Sequence, residues 1–373
     1  MESVIKIISF CILFSILLFI SCSSDPSEYT LPSRDEIPLS DSIGQEINTK
    51  TTYNLYNGSE PKVISVPLKD DPIIGNPYEV GISTIHSNGE IYVFDKGFSE
   101  VKIYKKNGSY IRSFGEVGAG PGAFQSVVDF STYRGEDGKT GVVVISRSRR
   151  VQFFKKEDGN FKQVDRHVFP FEPRDVCSID GSIFVHGGFA GPEALTRTEN
   201  SIFKLGRGGE VSESFGPMYQ HDDWLVKYSL SEGVLACDQS SSTVVFSFMH
   251  SGVIYGYNKN GVLKWVSEIK DFKPDPRSYD DGSITTKDIS GVDRITNIID
   301  TNGDSLVVER RNTVKTATST SYPDYSFHHY IISSSDGSGY YVGNRNMIIL
   351  GAGSDWIAGV NESSPESLKI MRY

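Results

Sequence analysis

The amino-acid sequence predicts an all-β fold, a six-bladed β-propeller of four-stranded antiparallel blades. The first observation is a series of short β-branched and aromatic runs separated by turns, in a chain with 36 Gly and no long helical periodicity. The second is that this pattern recurs about every 40 to 55 residues, the period of propeller blades. The third is length, because six such periods occupy the chain from about residue 70 to residue 373.

The N-terminus predicts export and a lipid anchor. Lys6 precedes an apolar run at residues 7–20, which is too short for an ordinary transmembrane helix and typical of a signal peptide. The run ends in Ile20-Ser21-Cys22, which resembles a bacterial lipobox. We therefore expect a lipoprotein signal peptide at residues 1–21 and lipid attachment to Cys22. An uncleaved anchor and an ordinary secretory signal are the alternatives.

The next segment, residues 22–60, predicts a flexible tether because it is polar and rich in Ser, Thr, Asp and Pro. The propeller domain then covers residues 61–373. Its first strand, predicted at 63–68, stands apart from the blades. We expect this strand to complete the final blade, because closure removes the two free sheet edges of an open array.

The most regular blade lies at 78–115. Apolar runs at 91–94, 101–104 and 110–114 are joined by short polar breaks, and Asn107-Gly108 is a strong signal for a tight hairpin. The remaining blades repeat this spacing of strand runs. The predicted runs are 142–145, 151–154 and a strand through 168 in the second blade; 181–185, 201–205 and 211–216 in the third; 243–248, 253–257 and 262–269 in the fourth; 305–308, 327–332 and 339–342 in the fifth; and 347–350, 356–360 and 368–371 in the sixth.

Longer connections are predicted at 190–200, 217–230, 271–288 and 311–325. Long loops on a rigid scaffold are where binding residues concentrate. These loops and the blade ends are therefore the expected binding face.

A family resemblance accompanies this pattern. Residues 91–115 resemble a repeat of the NHL and TolB-like propeller type, and GAGPGAF at 118–124 resembles the G-x-G-P-G-E-[FY] signature of the six-bladed β-propeller lipoproteins of Bacteroidota. Ala123 stands where that family usually has Glu, and the signature occurs once. The resemblance implies an envelope lipoprotein with a six-bladed propeller.

Cysteine usage is compatible with an oxidising compartment. Cys11 would leave with the signal peptide and Cys22 would carry the lipid, so Cys177 and Cys237 stay in the mature chain. Export would allow these two to pair, and two buried free thiols are the alternative.

The charge and the motifs of the sequence argue against nucleic-acid binding, a phosphate loop and a metal site. The net charge of −10 argues against nucleic-acid binding, which needs a basic surface. The glycine cluster at 115–122 lacks the Lys-Ser/Thr of a phosphate loop, so its glycines are expected to serve turns. The sequence has no CxxC or HExxH pattern, and the Asp-rich segment at 300–304 is expected to be a turn. We expect no metal and no cofactor.

Two constellations are candidate sites. Alignment of the blades on their apolar inner runs places Asp95, Arg147, His186 and Arg310 after these runs, with Arg149 close by. Because arginine binds carboxylate, phosphate or sulfate through two oxygens, these residues predict an anion- or glycan-binding rim. The alternative is that the arginines are solvated or paired with neighbouring acids.

The second constellation is a propeller lyase or hydrolase site at the central channel, with His186 and His250 as the candidate catalytic residues among carboxylates. We favour a non-enzymatic function. The expectation is an outer-membrane lipoprotein, facing the periplasm or the cell surface, whose propeller is a binding or interaction scaffold for an envelope protein, a peptide or a glycan.

Overall fold

The fold is taken from a computed structural model of the chain. It describes residues 28–29, 44–47, 62–67, 80–85, 90–95, 98–105, 109–135, 137–188, 200–206, 208–219, 224–274, 277–280, 283–286, 291–301, 303–315, 324–345, 347–353, 356–361 and 364–372. The predicted signal peptide, Cys22, the Asn107-Gly108 turn and most of the predicted loop at 190–200 lie outside these residues.

Three short strands come first in the described chain: β1 (Glu28–Tyr29), β2 (Gly44–Ile47) and β3 (Lys62–Pro67). Three antiparallel meanders follow. Sheet 1 contains β4 (Val80–Ile85), β5 (Glu90–Asp95), β6 (Glu100–Lys105) and β7 (Tyr110–Phe114). Sheet 2 contains β8 (Val127–Arg134), β9 (Thr140–Ser146), β10 (Arg150–Glu157) and β11 (Asn160–Val168). Sheet 3 contains β12 (Glu172–Ile179), β13 (Ser182–Gly188), β14 (Ile202–Leu205) and β15 (Val211–Phe215).

The second half of the chain continues the pattern after helix α1 (Trp224–Leu230). Sheet 4 contains β16 (Gly233–Asp238), β17 (Thr243–Phe248), β18 (Val253–Asn258) and β19 (Leu263–Ile269). A hairpin of β20 (Arg277–Asp280) and β21 (Ser283–Thr286) intervenes. Sheet 5 contains β22 (Asp293–Asp300), β23 (Ser305–Lys315), β24 (Asp324–Ser333) and β25 (Gly339–Arg345). Sheet 6 contains β26 (Ile348–Gly353), β27 (Trp356–Asn361) and β28 (Ser364–Arg372).

The prediction of an all-β propeller with four-stranded antiparallel blades is confirmed. Five sheets of the described chain have four antiparallel strands, not the six that the sequence predicts. The exception is sheet 4, which has five strands because β2 pairs in parallel with β19.

Apolar side chains from facing sheets form the core. Between sheets 3 and 4, for example, Phe184, Leu235, Val244 and Phe246 are buried together. The inner strands are apolar on both sides because each lies between two other sheets, and β16 and β17 are buried along their whole length. The continuous apolar runs in the sequence are explained by this sandwiched position.

A strand from the first part of the described chain completes sheet 6. β3 pairs antiparallel with β28 over six residue pairs, from Ser367 with Pro67 to Arg372 with Lys62. The predicted strand at 63–68 therefore does join the last meander, as its outermost strand.

Two strands fall within residues 22–60, where the sequence predicts a flexible tether. β1 pairs with β20 of the hairpin, and β2 extends sheet 4. These short segments are hydrogen-bonded to the rest of the protein, which a wholly flexible tether would not be. The domain boundary at residue 61 stays a prediction.

The meanders give the molecule two distinct faces. We call the upper face the end at which the first strand of each sheet begins and the second strand finishes. The register defines it, since Val80 pairs with Asp95, Val127 with Ser146, and Ile295 with Arg310. The lower face carries the turns between the third and fourth strands, including the turn at Asn260.

A disulfide joins two neighbouring inner strands. Cys177 of β12 and Cys237 of β16 are bonded, with their Cα atoms 5.4 Å apart. Of the two states that the sequence left open, the paired one is therefore found. The bond links sheet 3 to sheet 4 beside the central channel.

The glycine-rich segment after β7 is a structural connection, as predicted. Gly115 has a φ of 94°, and the Phe124 ring occupies the space that a Cβ atom would need. Phe124 is fully buried and contacts Phe94, Phe114 and Phe154. The segment therefore packs an aromatic residue between sheets 1 and 2.

Candidate functional site

A cavity of about 730 Å³ occupies the centre of the propeller. Its wall is formed mainly by the first strands β8, β12, β16, β22 and β26. This volume lies in the range of small-molecule sites. The central channel is therefore a cavity large enough for a ligand, with strand edges as its wall.

Carboxylates bond to backbone amides on this wall. Asp129 of β8 accepts a hydrogen bond from the Val176 amide of β12, with Oδ2 at 2.8 Å. Asp175 of β12 accepts the same amide through Oδ1 at 2.8 Å and the Leu235 amide of β16 through Oδ2 at 2.7 Å. Because inner strands leave amides unpaired at the channel edge, these carboxylates satisfy them and connect sheets 2, 3 and 4.

The two carboxylates also interact with each other. Burial raises the pKa of Asp129, and burial together with the Asp129 carboxylate raises the pKa of Asp175 well above its usual range. Because both carboxylates accept the Val176 amide, their like charges lie close together, so the pair holds one proton more readily than isolated carboxylates would.

A comparable polar link joins sheets 5 and 6. Glu309 is buried, and its carboxylate accepts hydrogen bonds from the Thr296 hydroxyl and the Ile349 amide, both at 2.7 Å. The Asn297 side chain donates to the Ile349 carbonyl at 3.0 Å. His329 lies 3.5 Å from Glu309 through Nε2 and is also buried.

At the upper end of the cavity, Arg174 is the cation that sheet 3 contributes to the wall. Its guanidinium stacks over the Tyr228 ring at 4.0 Å, donates to the Tyr228 carbonyl at 3.2 Å and lies 3.8 Å from Glu232. The Tyr228 hydroxyl in turn donates to Glu172. Helix α1 thus supplies an aromatic platform for an arginine at the mouth of the channel.

The two predicted catalytic histidines lie near this mouth and are fully buried. His186 contacts the Ser201 carbonyl through Nδ1 at 3.0 Å and packs against Phe246. Burial, with Arg174 nearby, lowers the pKa of His186 to about 3, so the ring is neutral at ordinary pH. His250 lies 3.9 Å from Glu232. Both histidines therefore neighbour the same carboxylate, from inside the protein.

Among the predicted rim residues, Asp95 and Arg310 are buried in ion pairs. Asp95 lies 3.0 Å from Lys102, and both side chains are almost completely inaccessible. Arg310 lies 3.2 Å from Asp271 and 3.7 Å from Asp293. The charge of each residue is paired within the protein. For Arg310, this is the alternative in which the arginines pair with neighbouring acids.

Arg147 and Arg149 differ from these residues. Both are exposed on the upper face, and neither makes an ion pair with any described residue. The Arg147 amide donates to the Ser126 carbonyl at 3.0 Å, just before β8 enters the channel wall. Arg149 adopts a φ of 60° in the tight turn that leads into β10.

The structure thus places all five predicted binding residues at the upper ends of second strands or in the turn that follows them. Arg147 and Arg149 are exposed, whereas Asp95, His186 and Arg310 are buried. Sequence reasoning missed Asp129, Asp175 and Arg174. The signal for the two aspartates was available, because each occupies a similar position in the first strand of consecutive sheets.

No cluster of metal-ligating side chains occurs among the described residues. Within the same residues, no helix has the length and apolarity needed to cross a membrane. Cys22, His86 and His221 lie outside the described part of the chain.

The fold has counterparts among solved structures. A member of the DUF4221 family from Bacteroides vulgatus is similar with a TM-score of 0.57 and 12% identity, covering 84% of this chain and 97% of that one. A Bacteroides fragilis protein that is named as exported is similar with a TM-score of 0.56 and 12% identity, covering 88% of this chain and 98% of that one. At this identity the likeness shows the fold alone. No protein-family model and no curated protein matches the chain.

Proposed function

We propose that this protein is an exported lipoprotein of the outer membrane, tethered through Cys22, whose propeller binds a partner at its upper face. The apolar run at 7–20 and the Ile20-Ser21-Cys22 motif support export and lipidation. The exported Bacteroides protein of similar fold supports an extracytoplasmic location. The disulfide between Cys177 and Cys237 agrees with an oxidising compartment.

We count sheet 4 as a blade of the same ring, which gives six blades. Its four antiparallel strands repeat the meander of the other sheets, and β2 is an addition at the outer edge. Contacts between first strands support closure, since they run from β4 through β8, β12, β16, β22 and β26 back to β4.

The observation that carries the binding function is the exposure of Arg147 and Arg149 on the upper face, in the sheet whose first strand, β8, lines the channel. In a protein of net charge −10, two exposed guanidinium groups that form no ion pair with any acid in the described part of the chain offer a local site for anions. Arg174, stacked on Tyr228, lies at the same end of the cavity and is held in place for contact with a ligand. We infer a ligand that carries a carboxylate, in an acidic peptide or an acidic glycan.

The test is a binding screen with the purified exported domain. Acidic and neutral peptides and uronic-acid and neutral oligosaccharides are compared by calorimetry, first with the wild type and then with Arg147→Ala combined with Arg149→Ala. Lys105→Ala is the control, because it removes one exposed positive charge on the lower face, at the end of β6.

Binding of acidic ligands that falls at least about tenfold in the double arginine variant, a loss typical of charge-assisted hydrogen bonds, would support the proposal. The control should bind as the wild type does. Equal affinity of the wild type and the arginine variant for every ligand would overturn the assignment of these residues.

The alternative of a propeller lyase or hydrolase depends on His186 and His250. Their complete burial and the neutral state of His186 favour a structural function for both residues. We therefore keep binding as the proposed function, and the Discussion gives a test of the histidines.

A further inference from the structure

The N-terminal strand β1 fixes where the lipid anchor would meet the propeller. Glu28 pairs with Ser278, and Tyr29 with Arg277, so β1 is the edge strand of a three-stranded sheet with β20 and β21. This sheet is separate from the six meanders. The chain that leads to the anchor is therefore attached at one defined place.

The connection that carries this sheet begins and ends at the upper face. The connection that contains the hairpin leaves the end of β19 and returns to the start of β22, and both of these points are at the upper face. Its two ends are fixed there, because Asp293 donates to the Lys273 carbonyl at 2.8 Å and Gly291 donates to the Thr313 carbonyl at 2.6 Å. The Lys273 amide also donates to Asp293 Oδ2 at 2.7 Å.

The covalent chain limits how far the anchor can be from this sheet. Cys22 precedes Glu28 by six residues, which span at most about 20 Å even when fully extended. Strands of this propeller are six to eight residues long in most sheets, so the distance between its faces is about 20–25 Å. An anchor attached at the upper side would therefore hold that face near the membrane.

Charge favours the same orientation. The acids Glu232 and Asp271 on the upper face are already paired with Arg174 and Arg310, whereas Arg147 and Arg149 are exposed and unpaired among the described residues. Exposed arginines are attracted to anionic lipid headgroups at short range. The protein would otherwise be repelled by such a surface, because its net charge is −10.

We infer that the upper face, with the mouth of the channel, is the membrane-facing surface of the tethered protein. This inference rests on the proposed lipid anchor at Cys22. Its partner is a phospholipid surface that contains anionic headgroups. A ligand of the channel would then arrive through the gap between the protein and the membrane.

Two reporter positions test the orientation. Ser148→Cys lies in the exposed turn between β9 and β10 on the upper face, and Asn260→Cys lies in the exposed turn between β18 and β19 on the lower face. Each variant of the lipidated protein is labelled with a fluorophore and reconstituted in vesicles of phosphatidylethanolamine and phosphatidylglycerol. Some of the lipids carry a nitroxide quencher on the headgroup.

The expected result is several-fold stronger quenching at position 148 than at position 260. Ser148 belongs to sheet 2, remote in the ring from the sheet 4 and sheet 5 side that holds the anchor, so a protein lying on its side would not bring this label to the lipid. Equal quenching at both positions, or stronger quenching at position 260, would overturn the inference.

A linker variant tests the physical cause. Insertion of about twenty Gly and Ser residues after Pro26 would lengthen the flexible reach beyond the thickness of the propeller. Vesicle flotation should be unchanged, and quenching at position 148 should fall. Quenching at 148 that stays as strong as without the insertion would contradict a tether-determined orientation.

Two further measurements separate a protein that lacks the lipid anchor from a lipidated protein in another orientation. Mass spectrometry of the N-terminal lipopeptide and vesicle flotation report on lipidation at Cys22. A chain without lipid that does not float would overturn both proposals. A lipidated chain that floats without the difference between the two labels would overturn the orientation alone.

Discussion

Asp129 and Asp175 accept the same backbone amide, that of Val176, each at 2.8 Å, from two neighbouring inner strands. The arrangement brings two carboxylates close together on the wall of the channel. It stabilises strand edges that would otherwise have unpaired donors, and it does so with groups whose charged forms repel each other. The stability of the propeller should therefore depend on the protonation of this pair.

We expect the pair to make the folded protein less stable as the pH rises. The folded-state pKa values of both aspartates lie above the unfolded value of about 3.9, so the folded state holds protons that the unfolded chain has released. This favourable contribution is complete below the unfolded pKa and is lost as the pH rises from there through the raised pKa values.

Asp129→Asn should reduce this dependence. The like-charge repulsion disappears and the amide oxygen can still accept from Val176, but the amide nitrogen replaces Oδ1, the acceptor of the Phe130 amide. The melting temperature of the variant relative to the wild type should therefore rise by about 2–4 °C between pH 4 and pH 8 in thermal unfolding. Asp304→Asn, at an exposed position, is the control and should show no such pattern.

The disulfide should contribute strongly to stability, because it closes a loop with a sequence separation of 60 residues between sheets 3 and 4. Replacement of Cys177 and Cys237 by Ala together should lower the free energy of unfolding by about 2–4 kcal/mol. Denaturant unfolding with and without reductant is the measurement. Reductant should weaken the wild type and leave the double variant unchanged, whereas a wild type insensitive to reductant would contradict the bond.

Glu309 should be essential for the contact between sheets 5 and 6. Glu309→Ala leaves the Ile349 amide and the Thr296 hydroxyl without their buried acceptor, which should cost about 2–4 kcal/mol in unfolding free energy. Glu309→Gln retains one acceptor oxygen and should lose less. Equal stability of the two variants would show that the carboxylate's hydrogen bonds do not determine the effect.

Two glycines of one loop should respond differently to a methyl group. Gly115 and Gly122 both have positive φ, at 94° and 80°, but only at Gly115 does a ring, that of Phe124, occupy the Cβ position. Gly122→Ala should cost about 1 kcal/mol for backbone strain alone. Gly115→Ala should cost clearly more in denaturant unfolding, since Phe124 must move from its buried site.

His186 and His250 should be dispensable for any activity of the protein. We expect His186→Gln and His250→Gln to retain whatever turnover the wild type shows toward ester and glycoside substrates, because both side chains are fully buried. Loss of turnover in either folded variant, as judged by circular dichroism, would revive the catalytic alternative. The His186 ring should show no titration between pH 5 and pH 8 in NMR spectra, in agreement with its pKa of about 3.

Much of the fold was predictable because propeller strands are local in sequence. Apolar runs separated by turns such as Asn260-Gly261 form antiparallel neighbours directly, and Gly261 adopts the positive φ that this turn requires. The closing strand β3 was also predictable, from its isolation before the first meander. The added strand β2 was not, because its polar sequence has no strand pattern and its pairing with β19 depends on tertiary proximity.

The site was less predictable than the fold. The position after an apolar inner run groups Arg147 with Arg310 on one face, but burial separates them, since Asp271 from the turn after β19 and Asp293 from the neighbouring strand β22 form ion pairs with Arg310. Sequence spacing contains no information on such partners. Asp129 and Asp175 acquire their roles only through the packing of one sheet on the next.

The pairing of β3 with β28 also has a consequence for biogenesis. The last antiparallel sheet is completed by two segments that are far apart in the chain, Lys62–Pro67 and Ser364–Arg372. During synthesis β3 therefore has no partner strand until β28 has emerged. Truncation of the chain just before β28 would leave an open, protease-sensitive array instead of a slightly shorter propeller.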